Sequence, residues 1–164
     1  MYHKPFHKLA LLAFIGLLVS CASVPEFDTK AVDKSLTPQS VIAEPKASRG
    51  KMALWGGTIL ATRNLKEVTQ IEMLAYPLNS SHLPLLEKKA LGRFIIKHNG
   101  FLEPSTYAVG ERLSVLGSVA GTQQGNVGEA RYAYPVIQAK QLHLWSKDAG
   151  KSNTRFNFGI GIQL

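Results

Sequence analysis

From Gly50 onward the chain is written in short β segments, each closed by glycine, proline or an Asn-Gly pair, and that punctuation leaves few folds open. Residues 52–62 are apolar and β-branched but are interrupted by Gly56-Gly57. Paired glycines inside a strand mark a bulge or a sharp bend. Thr69, Ile71, Met73 and Ala75 alternate with Gln70 and Glu72, the pattern of a half-buried strand, and Tyr76-Pro77 ends it. Residues 79–90, with Asn79-Ser80-Ser81 and Pro84, read as an exposed loop. Residues 93–98 form another strand closed by Asn99-Gly100, and residues 104–107 a short helix or turn. Leu113, Val115, Gly117 and Val119 share one face of the next strand. Residues 121–128 read as a polar, glycine-rich hairpin loop, and residues 131–145 return as a long strand broken or bulged at Pro135.

The tail alternates strictly: Phe156, Phe158, Ile160, Ile162 and Leu164 interleave with Asn157, Gly159, Gly161 and Gln163. One reading is the last strand of a membrane barrel. The chain is too short and too poor in repeated amphipathic strands for that, so a strand closing a small soluble sheet is the expectation. Its open edge would invite pairing with a partner. Five or six short strands with almost no helix define a mainly β fold, a small antiparallel β-barrel or sandwich. Three strands, a short connection and two more strands are compatible with an OB-like barrel.

The N-terminus carries a different message. Lys4 and Lys8 precede an apolar run of 11 residues, 9–19, and a small residue then precedes the chain's one cysteine, Cys21. A membrane-crossing helix needs about 20 apolar residues, whereas a secretory signal needs only a short apolar core behind a basic stub. Leu18-Val19-Ser20-Cys21 resembles the lipobox of a bacterial lipoprotein signal. That resemblance implies removal of residues 1–20 as a signal peptide and lipidation of Cys21 on its thiol and new amine, three acyl chains in all. One acyl chain binds a bilayer only marginally; three make attachment effectively permanent. With its one Cys consumed, the mature chain holds no internal disulfide. Ala22 stands where Asp favours retention at the inner membrane in enterobacterial-type sorting, which points to the outer membrane with the domain facing the periplasm.

Residues 21–49 read as the lipidated N-terminus and a flexible tether, with Pro25, Pro38 and Pro45 and few large apolar side chains. Thr37-Pro38 can open one helical turn, since proline suits the first helical position. As a coil the tether would reach on the order of 30 Å, and the β domain would occupy residues 50–164. The full chain carries 19 basic and 11 acidic residues. Loss of Lys4 and Lys8 leaves a mature net charge of +6. The positive residues are scattered, with Lys88-Lys89 the one adjacent pair. They suit a solvated surface or anionic lipid; nucleic acid is not an expected partner in the envelope.

No motif announces catalysis. The mature histidines His82, His98 and His143 have no ligand-type neighbour at metal-binding spacing. Glu72, Glu103, Glu111 and Glu129 fall in separate elements, and no Gly-x-Ser-x-Gly elbow is present. The Gly-x-x-x-Gly steps at 117–121 and 121–125 lack the following Lys-Ser/Thr of a phosphate loop. Glu129 suits a hairpin end or a pair with Arg112 or Arg131 better than acid–base work. Trp55, Tyr107, Tyr132, Tyr134 and Trp145 either line a binding face, as aromatics do on OB-type proteins, or pack in the core and at the rim. Cys21 is therefore the single expected site residue, with no catalytic residue, cofactor or metal.

Several motifs in one order are similar to the Slp family of outer-membrane lipoproteins. They are Ser23-Val24-Pro25, Trp55-Gly56-Gly57, Tyr76-Pro77-Leu78, Gly92-Arg93-Phe94, and Asn99-Gly100-Phe101-Leu102-Glu103-Pro104 with Tyr107 and Gly110. Gly117, Gly121, Gly125, Val127-Gly128-Glu129, Tyr132, Tyr134-Pro135 and Leu144-Trp145 complete the set. Asn79 and Glu103 depart from the family's usual Asp at those places but keep turn-forming or acidic side chains. The resemblance implies an outer-membrane lipoprotein linked to starvation or stationary phase, with a structural or interaction role and no catalytic residues to carry over. A periplasm-facing binding module for a small molecule, glycan or lipid is the alternative, and an envelope enzyme a third. Envelope proteins and anionic lipid are the expected partners beside the membrane itself.

Overall fold

Strand β1 (Met52–Asn64) changes partner halfway along its length, and this sets the whole architecture. In the computed structural model, which describes residues 26–147 and 149, its first half pairs with β4 (Arg112–Val127) from Met52 to Thr58. Its second half pairs with β2 (Val68–Ala75) from Gly57 to Asn64. The hand-over falls on Gly56-Gly57, and the bulge expected there lies further along, past Ile59. A Cβ on Gly57 would lie 1.8 Å from the Leu74 carbonyl oxygen, so the two backbones can approach only because this residue has no side chain. Leu60 is then squeezed out of register as a bulge.

The ring continues through β3 (Gly92–Asn99) and β5 (Ala130–Leu144) in the order β1-β2-β3-β5-β4 and closes on β1. All pairings are antiparallel except β3 with β5, which run parallel at residues 95–97 against 136–138. This is a mainly β chain with the connectivity of a closed OB-type barrel. Two half-sheets share β1: β1–β4–β5 on one side and β1–β2–β3 on the other. Between them lie Trp55, Ile59, Ile71, Met73, Phe94, Ile96, Leu113, Val115 and Ile137. The alternation of β2 holds residue by residue, with Thr69, Ile71, Met73 and Ala75 all buried.

Two local readings change. Residues 121–128 are not a loop: β4 runs to Val127, and a two-residue turn, Gly128-Glu129, returns the chain at Ala130. Gly128 takes φ +57 at the first turn position, as type II′ hairpins need. Gly121, at φ +122, serves the register slip beside Pro135 instead of a loop. Of the helix or turn expected at 104–107, residues 104–106 form the turn. The 79–90 loop is not wholly exposed, since Leu83 is buried and the Asn79 side chain accepts from the Ser81 and Leu83 amides.

The expected tether is corrected from residue 26 onward. Pro38–Ala43 forms a helix, α1, with Thr37 as N-cap, and Pro45–Ser48 a second turn, α2. The helical opening at Thr37-Pro38 therefore stands, but the flexible coil around it does not. Phe27, Leu36 and Val41 are buried, Val41 completely, and the Trp55 Nε1 donates to the Leu36 carbonyl at 2.9 Å. Val32 bridges Met52, and the Asp33 amide donates to the Met52 carbonyl. The segment is poor in apolar residues, yet the few it has are placed to fill the barrel's side and end. The Cys21 site, the signal peptide and the alternating 156–164 tail lie outside the described residues.

Candidate functional site

The outer face of the β1–β2–β3 half is where polar side chains converge. Gln70 and Glu72 point outward from β2 because their neighbours are committed to the core. On β3 the outward residues Arg93 and Ile95 flank them, with Glu72 opposite Ile95 and Arg93 opposite Leu74. The far end of the β4–β5 hairpin folds over this face. It brings Tyr134 into a small second cluster with Ile95 and Val136.

Tyr134 is held from three sides. Its ring lies against Gly125, where a Cβ would approach the ring to 2.9 Å, so a side chain there would displace the aromatic. The Tyr132 ring meets it edge-on at 4.8 Å. Its hydroxyl has two acceptors within reach of its single proton, the Asn126 carbonyl at 3.0 Å and Glu72 Oε1 at 3.2 Å. Glu72 Oε1 also accepts from Arg93 Nη1 at 2.7 Å. The Arg93 amide in turn donates to the Tyr132 hydroxyl at 3.0 Å. Burial, and then the adjacent Glu72 carboxylate, raises the Tyr134 hydroxyl above the usual tyrosine range. The hydrogen bond to Glu72 raises the Arg93 guanidinium further, against its desolvation. Beside this triad opens a cleft of about 220 Å³ walled by Arg63, Gln70, Glu72, Gln123, Asn126 and Tyr134. Its amide side chains offer donors and acceptors together.

The aromatics considered from sequence do not gather on one face. Trp55 is core, edge-on to Phe94 at 5.2 Å, and Tyr107 packs at the margin of the same core. Trp145 lies on the opposite half, its Nε1 donating to Ser114 Oγ at 2.9 Å. Only Tyr132 and Tyr134 reach the cleft region. The acids are equally dispersed. Glu103 holds the Ser105 turn, Glu111 pairs with Lys147 at 3.3 Å, and Glu129 sits at the hairpin turn and forms no ion pair with Arg112 or Arg131 among the described residues. Among the described residues no three His, Cys, Asp or Glu side chains converge. The most specific motif, Asn99 to Pro104, proves to be a latch. Buried Thr69 donates to the Gly100 carbonyl and accepts from the Leu102 amide, while Asn64 Nδ2 donates to the Leu102 carbonyl.

Sequence reasoning missed the Glu72–Arg93–Tyr134 triad. Outward positions on neighbouring strands signal the first two; Tyr134 joins them from 62 residues away on β5, by a contact that no local pattern shows.

His143, outward on β5 and edge-on to Trp145 at 4.4 Å, has its pKa lowered by burial. Its unfolded value is the higher one, so as pH falls through about 6.5 the unfolded chain takes up the proton first. The stability contribution is complete above that pH and is lost on acidification. Thermal melts between neutral and mildly acidic buffer should show a smaller loss in His143→Gln than in the natural chain; equal losses would exclude His143 as a source.

The class that the fold defines is a small closed OB-type barrel with a polar cleft on its β1–β2–β3 face. The chain belongs to the outer membrane lipoprotein Slp family, whose sequence model matches residues 18–159. It is 37% identical over 115 residues to a Haemophilus influenzae protein, covering 69% of this chain and 59% of that relative's length. It is 30% identical over 136 residues to the uncharacterized lipoprotein YeaY of Escherichia coli, covering 80% and 68%. It is 27% identical over 138 residues to the E. coli outer membrane protein Slp, covering 82% and 72%. Among solved structures, a small single-stranded DNA-binding protein from Streptomyces coelicolor aligns at a TM-score of 0.34 and 13% identity, over 58% of this chain and 94% of that one. The family makes this an outer-membrane lipoprotein.

Proposed function

We propose that the chain is anchored in the outer membrane through lipidated Cys21, faces the periplasm, and has an interaction role there that it exercises by binding through the Glu72–Arg93–Tyr134 cleft. The observation that carries this reading is the composition of the cleft. Gln70, Gln123 and Asn126 surround a carboxylate already engaged by a guanidinium. Amides in that arrangement, with the Arg63 guanidinium on the same wall, suit a hydroxyl-rich ligand that is neutral or carries negative charge. The volume, about 220 Å³, is below the roughly 300–1,000 Å³ of drug-sized pockets. It therefore suits one sugar ring or the end of a glycan. Turnover is disfavoured by the same contacts. Glu72 is tied to Arg93, and burial beside that carboxylate makes Tyr134 give up its proton less readily than a free tyrosine. Expression in starvation or stationary phase is the setting that the family resemblance supports.

Two measurements test the proposal. Cys21→Ser should leave residues 1–20 attached and remove the protein almost completely from the outer-membrane fraction; a wild-type Cys21 found unmodified by mass spectrometry would sink the anchor. Titration with hexose and N-acetylhexosamine oligosaccharides, followed by NMR shifts at Gln70, Gln123 and Asn126, should saturate. Affinity should fall about tenfold in Gln70→Ala, the loss of one good hydrogen bond. Chemical conversion of any such ligand, abolished by Glu72→Gln in a folded variant, would replace binding by catalysis.

A further inference from the structure

Glu26 and Phe27 tie the N-terminal segment to one side of the barrel. Glu26 is five residues beyond Cys21, and its carbonyl accepts from Gln141 Nε2 at 3.0 Å. The next residue, Phe27, is buried with its ring 5.6 Å from His82. Gln141 and His143 point outward from β5, because Ala139, Leu142 and Leu144 pack on the core between them. The chain therefore joins the barrel on the outer face of the β1–β4–β5 half. Five fully extended residues span no more than about 18 Å. A tether of that length gives the domain little freedom to turn over.

We infer that the outer face of the β1–β4–β5 half lies against the phospholipid surface that holds the anchor, and that the Glu72 cleft, on the outside of β2 and β3, is turned away from it. This rests on the proposal that Cys21 is lipidated. The face has residue types that settle at headgroup level. Trp145 is half-buried, with its Nε1 tied to Ser114 and its ring against His143. Lys140 is exposed at the point where β5 slips register against β4. A tryptophan with one polar end and a lysine with an apolar stem both partition to membrane interfaces. The occupant is a bilayer and not a free phosphate, since the length of the chain from the anchor delivers the face to it.

The test uses the full lipidated protein in phosphatidylethanolamine–phosphatidylglycerol vesicles. Lipidation consumes the thiol of the chain's one cysteine, so Lys140→Cys or Lys97→Cys supplies a single site for a nitroxide label. Lys97 lies outward on β3, on the cleft's half of the barrel. Power saturation should show a nickel chelate reaching position 140 several-fold less readily than position 97. Mass spectrometry of the same sample reports the acyl chains on Cys21 separately. Acylated protein with equal access at both positions would overturn the orientation while leaving the anchor intact. Equal shielding of position 140 in detergent without a bilayer would mean a contact between protein chains, and would overturn it too.

Discussion

A soluble form beginning at Lys51 should not give the cooperative melt that a form beginning at Ala22 gives. The shorter chain loses Phe27, Leu36 and Val41, all buried, and leaves the Trp55 indole N–H without the Leu36 carbonyl. Burying one such apolar side chain contributes roughly 1.5–3 kcal/mol, and an orphaned buried donor costs about 1–3 kcal/mol. Their sum is comparable to the whole stability of an ordinary domain, about 5–15 kcal/mol. Circular dichroism should show β signal broadened or lost well below the melting temperature of the longer form. Coincident melts would mean that residues 26–49 contribute no more than the coil expected from their composition. Val41→Asp in the longer form should reproduce most of the loss, because the carboxylate would enter a site with no solvent access.

Gly57→Ala should be the most damaging single-methyl change in the barrel. The added carbon would meet the Leu74 carbonyl oxygen at 1.8 Å and its carbon at 2.7 Å. Both are backbone atoms of the paired strand, so no side chain can swing aside; the ladder itself must open. A loss above about 4 kcal/mol is expected, in the exceptional range for one substitution. Gly100→Ala makes the contrast. A Cβ there meets nothing within 4 Å, and only its positive φ of 88° resists the change. That costs roughly 1–2 kcal/mol. Urea unfolding of the two variants should therefore separate them widely, and equal midpoints would contradict the close approach at the strand hand-over.

The strands were legible because half-burial writes itself as alternation, as in Thr69 to Ala75, and because Gly56-Gly57 marks a bend wherever it occurs. Residues 121–128 were misread for a physical reason. Glycine signals a loop by its freedom, but Gly125 is there to seat a ring and Gly121 to carry a bulge, and neither Tyr134 nor the register is visible locally. The N-terminal segment misleads because its prolines and charges outweigh a few apolar residues, while Pro38 and Val41 occupy fully buried positions. The cleft was half legible: Glu72 and Arg93 lie on strands identified from pattern, but their partner arrives only through the parallel pairing of β3 with β5.

That parallel seam also dictates when the molecule can exist. β5 is the piece that joins β3 to β4, and its joining residues, 136–138, come after all of β1 to β4. A chain delivered N-terminus first cannot complete the ring until nearly the last described residues have arrived. Until then α1 has only part of the wall it will pack on, and β3 keeps one side unpaired. The fold thus postpones its own completion until β5 has emerged, which makes the interval before closure the time when the chain most needs protection from its neighbours.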